Sequence, residues 1–339
     1  MYACRYYKKK RRFSFYLVAV FLMVLILFLC LFIFNKIKSD NVNDESKMDI
    51  IKKASNDVVA ITSSNIESEI TGSGIIVSKD GIILTNEHLL GENCTVMISP
   101  NIEEKATVLW SNSELDLALL KVNYTFEDEA VIPDDLCLMT GDDIYAIGNP
   151  INRDFEKTVT KGIISGLNRN IEFEENGKKF YLNNLIQFDA ATNFGNSGGA
   201  LINKSGQLIG ICTIKLISAD GMSFAIPISF IKPIIDDVRK NGKFEEPKLN
   251  LTVYDKYSIK KINNTISMDR GIYIVSVEPD SNAEKSGIRP GDIIEYIDEN
   301  EIKDMLDFRM YLYEKKKGEN VSFIIRRDNQ RYSVKVTLK

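Results

Sequence analysis

The chain changes its pattern of hydrophobic and polar positions four times. Residues 13–34 are uncharged and almost wholly apolar, and about 20 such residues in a helix span the hydrocarbon core of a bilayer. The first twelve residues hold six basic side chains and no acidic one. By the positive-inside rule, this predicts a transmembrane helix with a cytoplasmic N-terminus and an extracytoplasmic remainder. Residues 35–50 are polar and nonperiodic, which favours a flexible linker.

From Val58 to about Ile228 the pattern consists of short β-branched runs interrupted by Gly, Asp and Asn. Such runs indicate antiparallel strands in an all-β barrel or sandwich. The Asp80-Gly81 pair and the Ser205-Gly206 pair each lie between two apolar runs, so both predict hairpins. A helix is expected over 230–241, with Ser229 as its N-cap and Gly242 ending it.

After a charged linker that contains a proline, the sequence pattern becomes typical of mixed α and β structure. A strand is expected over 271–277, a short helix over 281–286, and a second helix from Asp304 to about Lys317, followed by two alternating strands. The chain therefore divides into a basic segment at 1–12, a membrane helix at 13–34, a linker at 35–50, an all-β domain at 51–243 and a small α+β domain at 244–339.

Charge and composition exclude several functions. The net charge is −4 although the N-terminus is basic, so the remainder is acidic and nucleic acid is not expected as a partner. A single histidine rules out a zinc cluster based on histidines, and we expect neither metal nor cofactor. Five cysteines without CxxC spacing favour unpaired thiols.

Three segments carry candidate chemistry: LTNEHLL around His88, SELDLALLKV around Asp116 and DAATNFGNSGGAL around Ser197. Peptide hydrolysis by a serine needs a nucleophile, a general base and a carboxylate that orients the base. Each segment supplies one of these groups. The glycine-rich turn also allows the amides of Gly195 and Ser197 to point at one spot, as an oxyanion hole requires.

Together these motifs resemble those of the HtrA/Deg family of serine proteases. GSGIIVSKDGIILTNEHLL, DLALLKV, GDDIYAIGNP, TVTKGIISGLNR and MSFAIPI add to the resemblance, which runs from about Val58 to Leu338. It implies two six-stranded antiparallel barrels of the chymotrypsin type, with the active site between them, followed by a PDZ domain. It also implies polypeptide substrates in protein quality control or stress response, and a homotrimer.

The resemblance extends to substrate selection. Ala191 occupies the place where an acidic residue selects Lys or Arg in trypsin-like relatives, which favours an apolar pocket. The expected pocket residues are Ala191, Phe194, Thr213 and Phe224. Phe194 replaces a proline that is usual before GNSGG, and Glu87 replaces an Asn that is usual before the histidine.

The stretch RGIYIVSVEPDSNAEKSGIRPGDIIEYIDENEI resembles a PDZ domain. Such domains bind a peptide C-terminus by adding it as a strand, with backbone amides around its carboxylate. The resemblance places that loop at Leu249, Asn250 and Leu251, where Asn250 replaces a glycine.

Three hypotheses remain open. The chain is an active endopeptidase, a catalytically silent scaffold tethered to a membrane, or a protease that is silent until its PDZ domain is occupied. The complete set of His88, Asp116 and Ser197 favours the first over the scaffold.

Overall fold

The computed structural model describes residue 23 and residues 48–339, apart from 65–68, 150–156, 176–177, 194 and 216–220. The predicted membrane span at 13–34 lies outside these residues except for Met23. Among the described residues, no helix has both the length and the apolar character needed to cross a bilayer. A short helix, α1 (residues 48–56), precedes the first sheet.

Seven antiparallel strands form the first sheet, in the order β5-β4-β1-β2-β3-β7-β6. They are β1 (Val58–Ser64), β2 (Glu69–Ser78), β3 (Ile82–Thr85), β4 (Glu92–Ser99), β5 (Ile102–Lys105), β6 (Thr107–Asn112) and β7 (Leu117–Lys121). The Asp80-Gly81 hairpin joins β2 to β3 as predicted, and Gly81 has a φ of 97° that favours glycine.

The first sheet has seven strands instead of the expected six, because one continuous chain segment forms both of its edge strands. Only Ala106 separates β5 from β6. On one side of this residue β5 pairs with β4, and on the other side β6 pairs with β7. The bend thus divides one long strand into two, which raises the strand count to seven.

The second sheet is a closed barrel of six strands in the order β10-β13-β12-β11-β8-β9, as the resemblance implied. Its strands are β8 (Asp143–Gly148), β9 (Thr158–Glu175), β10 (Lys178–Phe188), β11 (Ala200–Asn203), β12 (Leu208–Lys215) and β13 (Ser223–Pro227). The Ser205-Gly206 turn joins β11 to β12. The loop that carries Ser197 precedes β11, so the barrel holds it at one end.

Helix α2 (Ile228–Asn241) follows β13 directly. It begins two residues before the predicted start because Pro227, rather than Ser229, is the N-cap residue. Gly242 ends it in the left-handed conformation, as expected. On the buried face of α2, Phe230, Ile234 and Val238 belong to the apolar core that also contains Ile75 of β2 and Ile211 of β12.

The C-terminal domain forms one sheet in the order β14-β15-β16-β18-β19, with β17 paired to β16. Its elements are β14 (Leu251–Asp255), α3 (Lys256–Ile262), β15 (Ile272–Val277), α4 (Asn282–Lys285), β16 (Ile293–Ile297), β17 (Asn300–Glu301), α5 (Met305–Tyr313), β18 (Asn320–Arg327) and β19 (Gln330–Thr337). Helix α5 ends four residues before the predicted Lys317. Asp328 and Asn329 both have positive φ, which suits the tight turn between the last two strands.

An aromatic cluster joins this domain to the first one. The ring of Tyr313 on α5 lies 6.3 Å from that of Phe230 and 5.5 Å from that of Phe244. Phe244 in turn lies 6.2 Å from Trp110. Because Tyr313 is buried in the core cluster of the first domain, the two domains share apolar packing.

Candidate active site

His88 lies on a single 3₁₀ turn, Glu87–Leu89, directly after β3. The buried residues on either side of it hold this turn in place. Leu89 packs inside, and the Asn86 amide donates to the backbone carbonyl of Asp116 over 2.8 Å. The His88 side chain is 41% exposed, so the imidazole remains open to a substrate.

Asp116 precedes β7 and faces His88. It has a φ of 53°, a conformation that Asp tolerates better than most residues. One carboxylate oxygen, Oδ1, accepts from the backbone N–H of His88 over 3.1 Å and lies 2.8 Å from the imidazole Nδ1. A carboxylate can only accept, so Nδ1 carries the proton and Nε2 of the neutral ring is the acceptor. This is the tautomer that a general base needs.

Thr213 connects the carboxylate with the predicted nucleophile. Its hydroxyl donates to Oδ2 of Asp116 over 2.6 Å, so both carboxylate oxygens are held. Its backbone carbonyl accepts from the Ser197 hydroxyl over 3.1 Å. We predicted Thr213 as a pocket residue, and sequence reasoning missed its bond to the carboxylate. The structure thus brings His88, Asp116 and Ser197 to one place through Thr213.

The loop before β11 is tightly folded around Ser197. Gly195 and Gly198 have φ values of 95° and 78°, and Gly195 is buried. The Gly198 N–H donates to the carbonyl of Cys212 over 2.8 Å, and the Cys212 N–H donates to Gly199 over 2.9 Å. These bonds tie the loop to β12 and leave Ser197 half-buried at the surface.

The thiol of Cys212 lies close to this loop, but it does not compete with Ser197 as a nucleophile. Burial raises the pKa of its thiol to about 12, so the thiolate is disfavoured. Cys94 is also buried and Cys137 is exposed, and no disulfide joins these three described cysteines. The hydroxyl of Ser197, in contrast, lies half-buried beside Thr213.

The remaining predicted pocket residues lie in different surroundings. Phe194 is outside the described residues. Ala191 is exposed, and its carbonyl accepts from the Thr160 hydroxyl over 2.8 Å. Phe224 is buried in the core beside Ser223, whose hydroxyl lies 2.6 Å from that of Thr192. Sequence reasoning missed this buried hydroxyl pair, which places polar atoms beside the predicted apolar pocket.

The predicted PDZ loop precedes the edge strand β14. Leu249 is buried in the core of the C-terminal domain, and Asn250 has a φ of 59°, which a glycine would also adopt. The Asn250 carbonyl accepts from the Glu278 N–H over 3.0 Å, which fixes the loop. Beyond it, Leu251 begins β14, whose only pairing among the described strands is with β15.

A cleft of about 760 Å³ runs along β14 between the two domains. One wall consists of β14 and α5, and the other consists of β10 and α2. The residues that line it include Leu251, Val253, Met305, Leu182, Leu185 and Phe230. At its rim, Arg309 on α5 lies 2.7 Å from the carboxylate of Glu114, two residues before Asp116.

Comparisons with known proteins agree with this architecture. The trypsin-like peptidase domain family matches residues 72–211, and the PDZ domain family matches residues 235–338. The serine protease Do-like HtrB of Bacillus subtilis is 36% identical over 282 residues, covering 78% of this chain and 61% of that protein. A serine protease HtrA-like protein of Staphylococcus aureus is 31% identical, covering 89% of this chain and 44% of that protein. The chain thus spans about half the length of these relatives.

Solved structures of related proteases are similar as well. The HtrA-type protease AlgW with a tripeptide superposes with a TM-score of 0.66 at 29% identity, covering 86% of this chain and 96% of that chain. The serine endoprotease from Yersinia pestis superposes with a TM-score of 0.61 at 28% identity, covering 86% of this chain and 97% of that chain.

Proposed function

The chain belongs to the HtrA family of serine proteases, and on this premise we propose that it is an active serine endopeptidase with His88, Asp116 and Ser197 as its catalytic residues. The observation that carries the proposal is the continuous set of bonds from Nδ1 of His88 through Asp116 and Thr213 to the Ser197 hydroxyl. A scaffold that only binds peptides has no need of this arrangement.

The reaction begins with a turn of the Ser197 hydroxyl from the Thr213 carbonyl toward Nε2 of His88. His88 then takes the hydroxyl proton while Oγ attacks the carbonyl carbon of the scissile peptide bond. The carboxylate of Asp116 stabilises the imidazolium that forms, because it already accepts from Nδ1. The negative charge that develops on the carbonyl oxygen faces the amides of Gly195 and Ser197.

The tetrahedral intermediate then collapses to an acyl-enzyme. His88 returns its proton to the leaving amine, and the C–N bond breaks. A water molecule, deprotonated by the same imidazole, attacks the ester and releases the second product with Ser197 restored. Every proton is therefore moved by one residue, the single histidine of the chain.

The proposal includes a role for the PDZ domain in binding peptide C-termini along β14. The edge of this strand that no other described strand pairs with, and the cleft beside it, which is lined in part by apolar side chains, support strand addition. A bound peptide would contact both domains and would favour the domain arrangement that it binds more tightly. This shift would change the activity about 5- to 150-fold. Peptides with free apolar C-termini should therefore stimulate cleavage of an unrelated substrate, whereas amidated peptides should not.

We further propose that residues 13–34 anchor the protein in a membrane, with the catalytic domain extracytoplasmic. Misfolded or regulatory proteins outside the cytoplasm would then be its substrates, and a trimer its assembly. These points depend on the basic N-terminus, the apolar run and the family.

The test compares the full chain, solubilised in detergent, with its Ser197→Ala variant. We expect the first to digest casein and to react covalently with a fluorophosphonate probe, and the variant to do neither. A folded wild-type protein that fails in both assays, also in the presence of peptides with free apolar C-termini, would favour the membrane-tethered scaffold.

A further inference from the structure

Ser73 lies in the middle of β2, in the first sheet, and is fully buried. Its hydroxyl donates to the backbone carbonyl of Gly195 over 2.6 Å. The same hydroxyl accepts from the backbone N–H of Asn149 over 2.8 Å. Since Asn149 follows β8 and Gly195 lies in the loop before β11, one side chain connects the first sheet with two segments of the second barrel.

The backbone of Ser73 makes two further bonds to the active site. Its N–H donates to the carbonyl of Ser197 over 2.8 Å. Its carbonyl accepts from the hydroxyl of Thr85, three residues before His88, over 2.7 Å. The loop approaches so closely that a Cβ on Gly198 would lie 2.0 Å from the Ser73 carbonyl oxygen. Ser73 thus contacts the segments of both the base and the nucleophile.

We propose that Ser73 is a positioning residue for the oxyanion hole, an inference that rests on the proposed endopeptidase activity. Gly195 supplies one of the two amides that face the developing negative charge. Its positive φ is a conformation from which a glycine turns easily, because no Cβ restricts it. The Ser73 hydroxyl holds the Gly195 carbonyl and so restricts the rotation of this residue.

Removal of the hydroxyl would leave the buried Gly195 carbonyl without this donor. A buried carbonyl that loses its partner is costly, so the loop would turn to find another donor. That turn would carry the Gly195 N–H away from the substrate oxygen. The substrate carbonyl becomes an oxyanion only in the transition state, so the loss should affect kcat rather than KM.

The experiment compares Ser73→Ala with the wild-type chain in steady-state peptide cleavage. We expect kcat to fall about 10- to 10²-fold, while KM changes little. This decrease does not exceed the one that follows removal of a whole oxyanion-hole donor. A peptide aldehyde, which forms a tetrahedral adduct with Ser197, should bind more weakly by a similar factor. A cleavage-product peptide, which forms no oxyanion, should bind equally to both proteins.

A matched control is Ser281→Ala, which removes another buried serine hydroxyl. Ser281 caps α4 in the C-terminal domain, where its hydroxyl accepts from Glu284 over 3.1 Å. This variant should melt at a lower temperature with unchanged kcat. Ser73→Cys keeps nearly the same size with a weaker donor, so it should have an intermediate kcat and decides the matter if Ser73→Ala does not fold.

The two proposals fail in different ways. If the wild-type chain neither cleaves peptides nor reacts with a fluorophosphonate, even when peptides with free apolar C-termini are present, the endopeptidase proposal is wrong and this inference with it. If the wild-type chain is active through Ser197 but Ser73→Ala, or Ser73→Cys in its place, has wild-type kcat and aldehyde affinity, only the role of Ser73 is wrong.

Discussion

The hydroxyl of Thr213 donates to Oδ2 of Asp116 over 2.6 Å, although the two residues are 97 positions apart. The other carboxylate oxygen accepts from Nδ1 of His88, so the threonine fixes the plane of the group that orients the base. A carboxylate held at only one oxygen can rotate and would present the imidazole in several orientations. Thr213 is therefore part of the predicted catalytic machinery rather than only of the pocket.

Thr213→Val should lower kcat/KM about 10- to 10²-fold, because a hydrogen bond to a charged group contributes about 1.5–3 kcal/mol. The bond from Ser197 to the Thr213 backbone carbonyl is unaffected by this change. Thr213→Ser keeps a hydroxyl and should stay close to wild-type activity. Equal activity of all three proteins in peptide cleavage would show that Asp116 is oriented without this bond.

The three proposed catalytic residues, His88, Asp116 and Ser197, should act as one unit. Ser197→Ala, His88→Ala and the double variant should all reduce turnover to the same low level, because each removes the same proton transfer. Asp116→Asn should fold and lose about 10⁴-fold in turnover, since an amide does not hold the required tautomer. If the losses in activation free energy of the two single variants added up in the double variant, as measured in single-turnover assays, a shared step would be contradicted.

Asp57 predicts a dependence of stability on pH. Burial, together with Asp128 and Glu129, raises the pKa of its carboxyl to about 6, above 3.8 in the unfolded chain, and its Oδ1 has no hydrogen-bond partner among the described residues. The folded state therefore holds the proton more tightly. The contribution of this group to the free energy of unfolding is fully present below pH 3.8 and is lost as the pH rises through 6. The fold is therefore less stable by up to about 3 kcal/mol at pH 8.

Asp57→Asn should remove this loss and be more stable than the wild-type chain at pH 8, as measured by urea unfolding at pH 5 and pH 8. Asp128→Asn is the control, because that residue is half exposed and its neutralisation should produce a smaller gain. If Asp57→Asn has the same dependence on pH as the wild-type chain, another group is responsible.

Tyr313 should determine how firmly the C-terminal domain is held. Tyr313→Ala removes a buried ring between Phe230 and Phe244, a change that typically costs about 3–5 kcal/mol. We expect the wild-type chain to unfold in one calorimetric transition, because the two domains share this core, and Tyr313→Ala to unfold in two. The fluorescence of Trp110, the only tryptophan, should also shift in the variant. Tyr313→Phe loses only the bond to Glu246 and should keep one transition. One unchanged transition in Tyr313→Ala would contradict the shared core.

The predicted membrane topology can be tested in intact cells. Protease added outside should digest the chain beyond Asn35, because the positive-inside rule predicts a cytoplasmic location for the basic residues before the apolar run. Digestion of residues 1–12 with protection of the remainder would show the opposite orientation.

The sequence alone predicted the features that depend on neighbouring residues. Asp80-Gly81 and Ser205-Gly206 indicated their hairpins because such turns need few side-chain constraints beyond positive φ. The motifs around His88, Asp116 and Ser197 indicated a catalytic set because each contains a chemically specialised residue in a recognisable local setting. The bend at Ala106 was missed, since no proline or glycine marks it.

Only the tertiary structure decided which distant polar groups meet. Nothing in the local sequence indicates that the hydroxyl of Ser73 holds Gly195, 122 residues away, or that Thr213 turns its hydroxyl toward Asp116. A serine or threonine in a strand has the same local pattern whether it faces solvent, core or another barrel. Those pairings arise because the closed barrel and the first sheet bury their polar groups against one another, and a buried donor or acceptor must find a partner there.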